Sequence, residues 1–202
     1  MNLQKLPLTK VVLASQSPRR VELLKQMGID CEILPIDIDE SVQPNEAPET
    51  YVMRLAKQKA LAANIMLKEK SNELQTLPII AADTTVVLNN QILGKPENDA
   101  EAERMLTNLA GTSHTVLTAV AMAAKGQIEV LLSKTQVTMM PLTKAQILSY
   151  LLQGEHPGKA GSYGIQGLAA TWIQEIHGSY SGVMGLPIYE TACLLREHGY
   201  YL

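Results

Sequence analysis

A short apolar run that leads directly into a helix start is the feature that most constrains how this chain folds. Residues 11–14, Val-Val-Leu-Ala, predict a buried strand. Ser17 and Pro18 predict a helix N-terminus, because a serine hydroxyl accepts from a free backbone N–H and proline suits the position where that N–H has no partner. Arg19 and Arg20 follow in the first turn, where free N–H groups and the helix dipole favour anions. The stretch predicts either a phosphate cradle or an ordinary strand-turn-helix with surface arginines.

Length and charge limit the possible function classes. The 202 residues fit one domain, expected to span residues 1–202. With a net charge of −3 and no block of basic residues, nucleic-acid binding through a broad basic face is not expected. Aromatic residues make up only 4% of the chain and phenylalanine is absent, which argues against a stacking platform for single strands.

The same composition indicates a cytoplasmic protein that makes no membrane contact. No apolar run approaches membrane-spanning length, and the run after Lys10 is too short for a signal-peptide core. Cys31 and Cys193 lack metal-ligand spacing, so each is expected to be a buried small apolar residue. The histidines also lack ligand spacing and are expected at strand ends or on the surface: His114, His156, His177 and His198.

Apolar periodicity and turn residues predict a mixed α/β chain. Two long strands, residues 115–124 and 128–140, predict a central antiparallel hairpin joined at Lys125-Gly126. Shorter strands are expected at residues 31–35, 78–82, 86–88, 92–93 and 172–177, and a turn at 178–182. Helices are expected over residues 19–27, 48–70, from Asn98 to Gly111, over 144–153, and from Pro187 onward.

A lysine interrupts the apolar face of the longest predicted helix, which begins at Pro48. Lys59 lies four residues after Leu55 and four before Ala63, so it falls on the face that turns toward the core. A lysine in that position must extend to solvent, pair with a carboxylate or meet a ligand.

Carboxylates occur at two unusual places. The acidic run of Asp37, Asp39 and Glu40 predicts either a divalent-metal site or a solvated strand end. Asp83 lies between two apolar β segments, where a buried carboxylate needs hydrogen bonds or a cation. Asn89-Asn90 predicts a hairpin turn, which is expected to bring Lys95 back near Asp83.

A glycine-rich loop over residues 158–167 lets backbone approach a ligand closely, and Lys159 adds positive charge to it. The loop lacks the GK[ST] ending of a P-loop. Together, the cations and carboxylates suit phosphoryl or nucleotidyl transfer, in which cations neutralise a polyphosphate, one carboxylate holds Mg²⁺ and another activates water.

A set of motifs in a fixed order resembles the Maf family of nucleotide pyrophosphatases over almost the whole chain. The motifs are S-x-S-P-R-R at residues 15–20, the acidic run ending at Glu40, Y-V-x-R-L-A-x-x-K-A at 51–60, A-D-T at 82–84, L-G-K-P at 93–96, G-K-A-G-S-Y-G-I-Q-G at 158–167 and V-M-G-L-P at 183–187. The resemblance implies an elongated α/β fold with a mixed sheet, like that of inosine-triphosphate pyrophosphatases, with two lobes flanking a cleft. It also implies hydrolysis of a nucleoside triphosphate to monophosphate and pyrophosphate with a divalent metal, Mg²⁺ or Mn²⁺, often by a homodimer.

Within that family the chain is similar to the branch that acts on dTTP and UTP, a house-cleaning activity, because it carries S-P-R-R, D-T and I-Q-G. The resemblance assigns Asp83 as the proton acceptor, in a catalytic group with Glu40, Lys59 and Lys95, and Glu40 and Asp83 as metal ligands. It assigns the nucleotide-binding residues as Arg19, Thr84 and Gln166, which set base specificity, with Ser17 and Arg20. The alternative is a nucleotide-binding regulator of septum formation without essential turnover.

Overall fold

One mixed β-sheet organises the computed structural model, which describes residues 10–70 and 73–200. The strands in that part of the chain are β1 (Lys10–Leu13), β2 (Asp30–Ile33), β3 (Ile79–Leu88), β4 (Gln91–Leu93), β5 (Ser113–Ala124), β6 (Gln127–Met139) and β7 (Ile173–His177). The α-helices are α1 (Pro18–Gln26), α2 (Pro48–Lys70), α3 (Asp99–Leu109), α4 (Lys144–Leu152), α5 (Tyr180–Met184) and α6 (Ile188–Glu197). None of the helices described is long and apolar enough to cross a membrane.

The strands lie in the order β2-β1-β3-β5-β6-β7, and β4 pairs with β3 outside that path. Pairing of β1 with β2 and β3 is parallel, and the remaining pairings are antiparallel. The predicted hairpin of β5 and β6 is confirmed, with Ala124 opposite Gln127 at the turn.

Both faces of the central strands are buried, which explains the uninterrupted apolar run of β1. Alternate residues belong to different core clusters, with Val11 and Leu13 in one and Val12 in the other. The Val12 cluster is closed by α2, and the Val11 cluster contains buried residues of the helices α1, α3, α4 and α6. The mixed α/β architecture predicted from the sequence is therefore confirmed.

Some local predictions change in the folded chain. The expected strands at 78–82 and 86–88 form one strand, because β5 pairs with β3 from Ile79 to Val87 without a break. The expected turn at 178–182 is wrong, since residues from Tyr180 to Met184 form α5. This helix is too short to give a periodic signal, and its N-cap is a hydrogen bond from the Gly182 N–H to Ser179 Oγ.

The expectations for several thiol and imidazole side chains also need correction. Cys31 and Cys193 are partly exposed rather than buried. His156 is buried in the loop after α4, at hydrogen-bonding distance from Asp99 (3.0 Å between His156 Nε2 and Asp99 Oδ1). His114 does lie at a strand end, but it is almost fully buried.

A gap in strand pairing exposes one edge of β3 at the predicted site. On that edge β3 pairs with β1 at Ile79 and Ile80 and with β4 only from Val86 onward. Asp83 and Thr84 lie between the two paired segments, just beyond the carboxyl end of β1. This is the kind of position where open α/β sheets bind ligands.

Candidate active site

A cavity of about 990 Å³ opens at this gap in β3. It gathers side chains from the β1–α1 turn, the β2–α2 loop, α2, β3, the residues after β4 and the glycine-rich loop. All the predicted site residues line it: Ser17, Arg19, Arg20, Glu40, Lys59, Asp83, Thr84, Lys95 and Gln166. The fold therefore brings together residues that are up to 149 positions apart in the sequence.

Four charged side chains of alternating sign form a chain along one wall of the cavity. Lys59 Nζ donates to Asp83 Oδ1 at 2.6 Å and contacts Glu40 Oε1 at 2.6 Å. Lys95 Nζ donates to Glu40 Oε2 at 2.7 Å. Among the possibilities for Lys59, pairing with carboxylates is the one observed, and the side chain is only 9% exposed. Lys95 lines the same cavity as Asp83, and its ion-pair partner there is Glu40.

The acidic run divides between solvent and the cavity. Asp39 is exposed, and its Oδ1 accepts from the Ser41 N–H at 2.9 Å. Asp37 is also exposed but lines the cavity, as Glu40 does. Glu40 is half-buried, and burial alone would raise its pKa. Hydrogen bonds from Lys59 and Lys95 outweigh burial and lower the pKa of Glu40 to about 2, so the carboxylate is ionised at neutral pH.

Arg20 is fixed by two acceptors. Its Nε donates to the carbonyl of Gly185 at 2.8 Å, and its Nη1 donates to Ser15 Oγ at 3.0 Å. Burial lowers the pKa of Arg20, and the nearby Asp83 carboxylate opposes that shift. A guanidinium nevertheless stays charged in proteins, so Arg20 presents a fixed positive charge in the cavity.

The β1–α1 turn is held by a different serine from the one expected. Ser17 is the N-cap residue and Pro18 opens α1, as predicted, but the Ser17 side chain makes no capping hydrogen bond. Ser15 Oγ accepts from the Ser17 N–H at 3.1 Å and also from Arg20. Sequence reasoning assigned Ser15 no role, although a serine two residues before an N-cap suits a local turn bond.

Arg19 turns toward the glycine-rich loop instead. A Cβ atom added at Gly164 would lie 2.9 Å from Lys159 Cε and 3.7 Å from Arg19 Nη1, so both cations pass close to this glycine. Lys159 Nζ donates to the Glu155 carbonyl. Burial lowers the pKa of Lys159, and the neighbouring Arg19 charge adds to that effect. Lys159 lines the cavity and is a further positive group there.

The glycine-rich loop packs directly on β3. Gly161 has φ +68°, and a Cβ atom there would lie 2.8 Å from Val86 Cγ2. Both its left-handed backbone and its close approach to the strand explain why glycine is needed at this position. The same loop presents Gln166, whose exposed side chain lines the cavity.

Thr84 lies opposite Thr118 of β5. Their hydroxyl oxygens are 3.0 Å apart, and Thr118 Oγ1 donates to the Gly182 carbonyl at 2.7 Å. The single hydroxyl proton of Thr118 is directed at both the Gly182 carbonyl and Thr84 Oγ1, so Thr84 accepts from Thr118. Thr84 keeps its own hydroxyl proton and can donate it to a ligand.

The carboxylates present fit a divalent cation of the Mg²⁺ type. Among the described residues no group of three or more His, Cys, Asp and Glu side chains is arranged to hold a metal. Glu40 and Asp83, however, reach the same Lys59 nitrogen. Mg²⁺ in phosphoryl-transfer sites commonly takes only one or two carboxylates and completes its shell with water and substrate phosphates.

Comparison with known proteins identifies the family. A family model described as "Maf-like protein" matches residues 10–198. The chain belongs to the Maf family. Its relatives include a dTTP/UTP pyrophosphatase of Methylobacillus flagellatus, 50% identical over 192 residues, which cover 95% of this chain and 94% of that protein.

A second Maf-family relative, a dTTP/UTP pyrophosphatase of Pseudoalteromonas atlantica, is 50% identical over 190 residues, covering 93% of this chain and 96% of that protein. Among solved structures, the Staphylococcus aureus Ham1 protein overlaps with a TM-score of 0.43 at 16% identity, covering 82% of this chain and 80% of that one. Membership of the Maf family rests on the sequence matches.

Proposed function

We propose that this Maf-family chain is a pyrophosphatase that hydrolyses dTTP and UTP to the monophosphate and pyrophosphate, as a house-cleaning activity. The observation that carries the proposal is the chain of alternating charges from Lys95 through Glu40 and Lys59 to Asp83, which shares one cavity with Arg20. The relatives named dTTP/UTP pyrophosphatase support the choice of substrate.

The cations account for triphosphate binding. Arg20 offers a guanidinium held by Gly185 and Ser15, and it lies in the first turn of α1, where the helix dipole also favours an anion. Lys59 and Lys95 exchange part of their contact with carboxylates for contact with phosphate oxygens. A hydrogen bond to a charged group contributes about 1.5–3 kcal/mol, so these three cations fix both affinity and position.

In the proposed reaction Asp83 orients a water for in-line attack on the α-phosphorus and accepts its proton. The new bond joins the water oxygen to the α-phosphorus, and the bond from that phosphorus to the bridging oxygen of the β-phosphate breaks. Pyrophosphate leaves with the electron pair. A divalent cation, Mg²⁺ or Mn²⁺, would be held by Glu40 and Asp83 and would neutralise charge on the phosphates.

A second group of cavity residues suits a pyrimidine edge. The Gln166 amide both donates and accepts, which matches the O4 and N3–H groups of uracil and thymine. Thr84 offers its hydroxyl, which keeps a proton to donate because it accepts from Thr118, and Arg19 offers a further donor. We place the activity in the cytoplasm, which the unpaired Cys31 and Cys193 favour.

A panel of nucleoside triphosphates, assayed for pyrophosphate release with Mg²⁺, with Mn²⁺ and after chelation, tests the proposal. Release is expected for dTTP and UTP above the other nucleotides, and it should stop on chelation. An Asp30→Asn variant serves as a control that should keep the same activity, because Asp30 is an exposed carboxylate outside the cavity. Binding without turnover of any nucleotide would overturn the proposal and favour the regulator of septum formation.

A further inference from the structure

The loop that carries Glu40 has little regular structure of its own. Residues 34–47 connect β2 to α2 without a helix or a strand. Loops of this length in a compact fold are usually functional, and their backbone must be held by the elements they pack against. Glu40 contributes the central carboxylate of the charge chain, so the placement of this loop decides where that carboxylate lies.

Arg54 of α2 binds the loop at two points. Its Nε donates to Glu46 Oε1 at 2.6 Å and its Nη2 donates to Glu46 Oε2 at 2.8 Å, which makes a two-pronged ion pair. Nη2 also donates to the Ser41 carbonyl at 3.0 Å. The pair is partly buried, with the Arg54 side chain 16% exposed and the Glu46 side chain 4% exposed.

Tyr51, one helical turn before Arg54, completes the attachment. Its hydroxyl donates to the backbone carbonyl of Glu40 at 3.0 Å. The Arg54 guanidinium lies 5.6 Å from the centre of the Tyr51 ring, so the two side chains support each other. Tyr51 therefore holds the backbone of Glu40. Arg54 contacts the Tyr51 ring and holds the backbone of Ser41, the residue after Glu40.

Substrate binding makes this attachment decisive. In the absence of nucleotide, Lys59 and Lys95 hold the Glu40 side chain. When both lysines turn to phosphate oxygens, as the proposed function requires, the backbone attachments to Tyr51 and Arg54 remain. Arg54 and Tyr51 lie outside the set of residues that line the cavity, so neither reaches the substrate.

We propose that Arg54 is a positioning residue: through Glu46, Ser41 and Tyr51 it fixes the 34–47 loop so that the Glu40 carboxylate stays aligned when the lysines engage the substrate. The inference rests on the proposed function for the reaction, but the attachment itself exists without substrate. A small displacement of a reacting group far from the chemistry costs up to about 10²-fold in rate.

The test compares Arg54→Met, Glu40→Gln and the double variant by kcat and KM. Arg54→Met is expected to lower kcat about 10- to 100-fold. In the Glu40→Gln background the same change should lower kcat by a further factor of about 2 at most, because the effects of residues that act as a unit are not additive. Arg104→Met is the control, since Arg104 lies on α3 in an exposed pair with Glu101, and its activity should stay unchanged.

Hydrogen–deuterium exchange gives a readout that needs no substrate. In Arg54→Met the amides of residues 34–47 should exchange faster, and those of β3 and β5 should not. Glu46→Gln, which keeps the side-chain size, should reproduce both effects more weakly and serves if Arg54→Met fails to fold. The proposal would be overturned if amide exchange of residues 34–47 is unchanged in Arg54→Met. It would also be overturned if Arg54→Met lowers kcat equally in the parent chain and in the Glu40→Gln background. If the loop exchange changes and no nucleotide is hydrolysed, the proposed function fails but the attachment stands.

Discussion

Asp83 and Thr84 are neighbours on β3, yet their side chains belong to opposite faces of the sheet and meet different surroundings. Asp83 shares the face of Ala81 and α2, where its neighbours are charged side chains. Thr84 shares the face of Ala82, where it meets Thr118 and the backbone near Gly182 and Gly185. The period of two in a β-strand is enough to separate them.

The difference shows how one strand serves two recognition tasks. On the Asp83 face, Lys59 already pairs with Asp83 and Glu40, so positive and negative groups are positioned before any ligand arrives. On the Thr84 face, the hydroxyls of Thr84 and Thr118 and the Gly182 carbonyl set hydrogen-bond direction. The Gly185 carbonyl holds Arg20 at the border with the charged groups, and Gln166 remains exposed. Charge suits a polyphosphate and directional neutral groups suit a base edge, so we expect mutations on the two faces to change different kinetic quantities.

The largest effect is expected from Asp83→Asn. This change removes the proposed proton acceptor while keeping the side-chain volume, so kcat should fall about 10²- to 10⁴-fold for every nucleotide. Steady-state kinetics on dTTP and UTP measure it, and circular dichroism checks that the fold is intact. Activity within a few-fold of the parent chain would exclude Asp83 as the proton acceptor.

Lys59→Met and Lys95→Met test whether burial decides how much each lysine of the charged face contributes to the free energy of unfolding. Lys59 is 9% exposed and bridges two carboxylates, so its loss should lower the free energy of unfolding by about 3 kcal/mol. Lys95 is 56% exposed, and its loss should cost less than about 1 kcal/mol. Urea unfolding at pH 7 measures both. Equal losses would mean that the network does not stabilise the fold through its buried member.

Gln166→Glu tests the neutral hydrogen-bonding groups on the Thr84 face. A carboxylate accepts but does not donate, so it loses one hydrogen bond to a uracil or thymine edge. The kcat/KM for dTTP and UTP should fall about 10-fold relative to that for the other nucleotides, whose own kcat/KM should change much less. A uniform loss over a nucleotide panel would indicate that Gln166 is structural.

An effect confined to acidic pH is expected at His114, which packs on the Thr84 face beneath the glycine-rich loop. Its Nε2 lies 2.7 Å from the Tyr163 hydroxyl, and burial lowers the pKa of His114 to about 4. An unfolded histidine has a pKa near 6.5, so the unfolded chain binds this proton first as the pH falls. Stability should therefore be lost between about pH 6.5 and 4, by at most about 3 kcal/mol.

His114→Gln removes that titration and keeps a polar side chain. Urea unfolding at pH 7 and pH 5 should show a smaller loss of stability for the variant than for the parent chain. The same pH dependence in both would show that His114 does not titrate in this range.

Much of the fold follows from local sequence. Three local predictions are confirmed because their signals act over a few residues: the apolar strand β1, the start of α1 at Ser17 and Pro18, and the Asn89-Asn90 turn, where both residues have positive φ. The side-chain hydrogen bond expected from Ser17 as the N-cap is absent. The five-residue helix α5 escaped prediction, since its start depends on Ser179 and its length is too short for periodicity.

For the site, the sequence by itself determined which residue types are available and that Lys59 faces inward, since helical spacing alone places it on the buried face of α2. Only the tertiary structure decided the partners. That Lys59 meets both Asp83 and Glu40, that Lys95 meets Glu40, and that Arg20 is held by Ser15 and a glycine carbonyl depend on sheet order and loop packing. Contacts between distant segments, and backbone acceptors above all, leave no local pattern in the sequence.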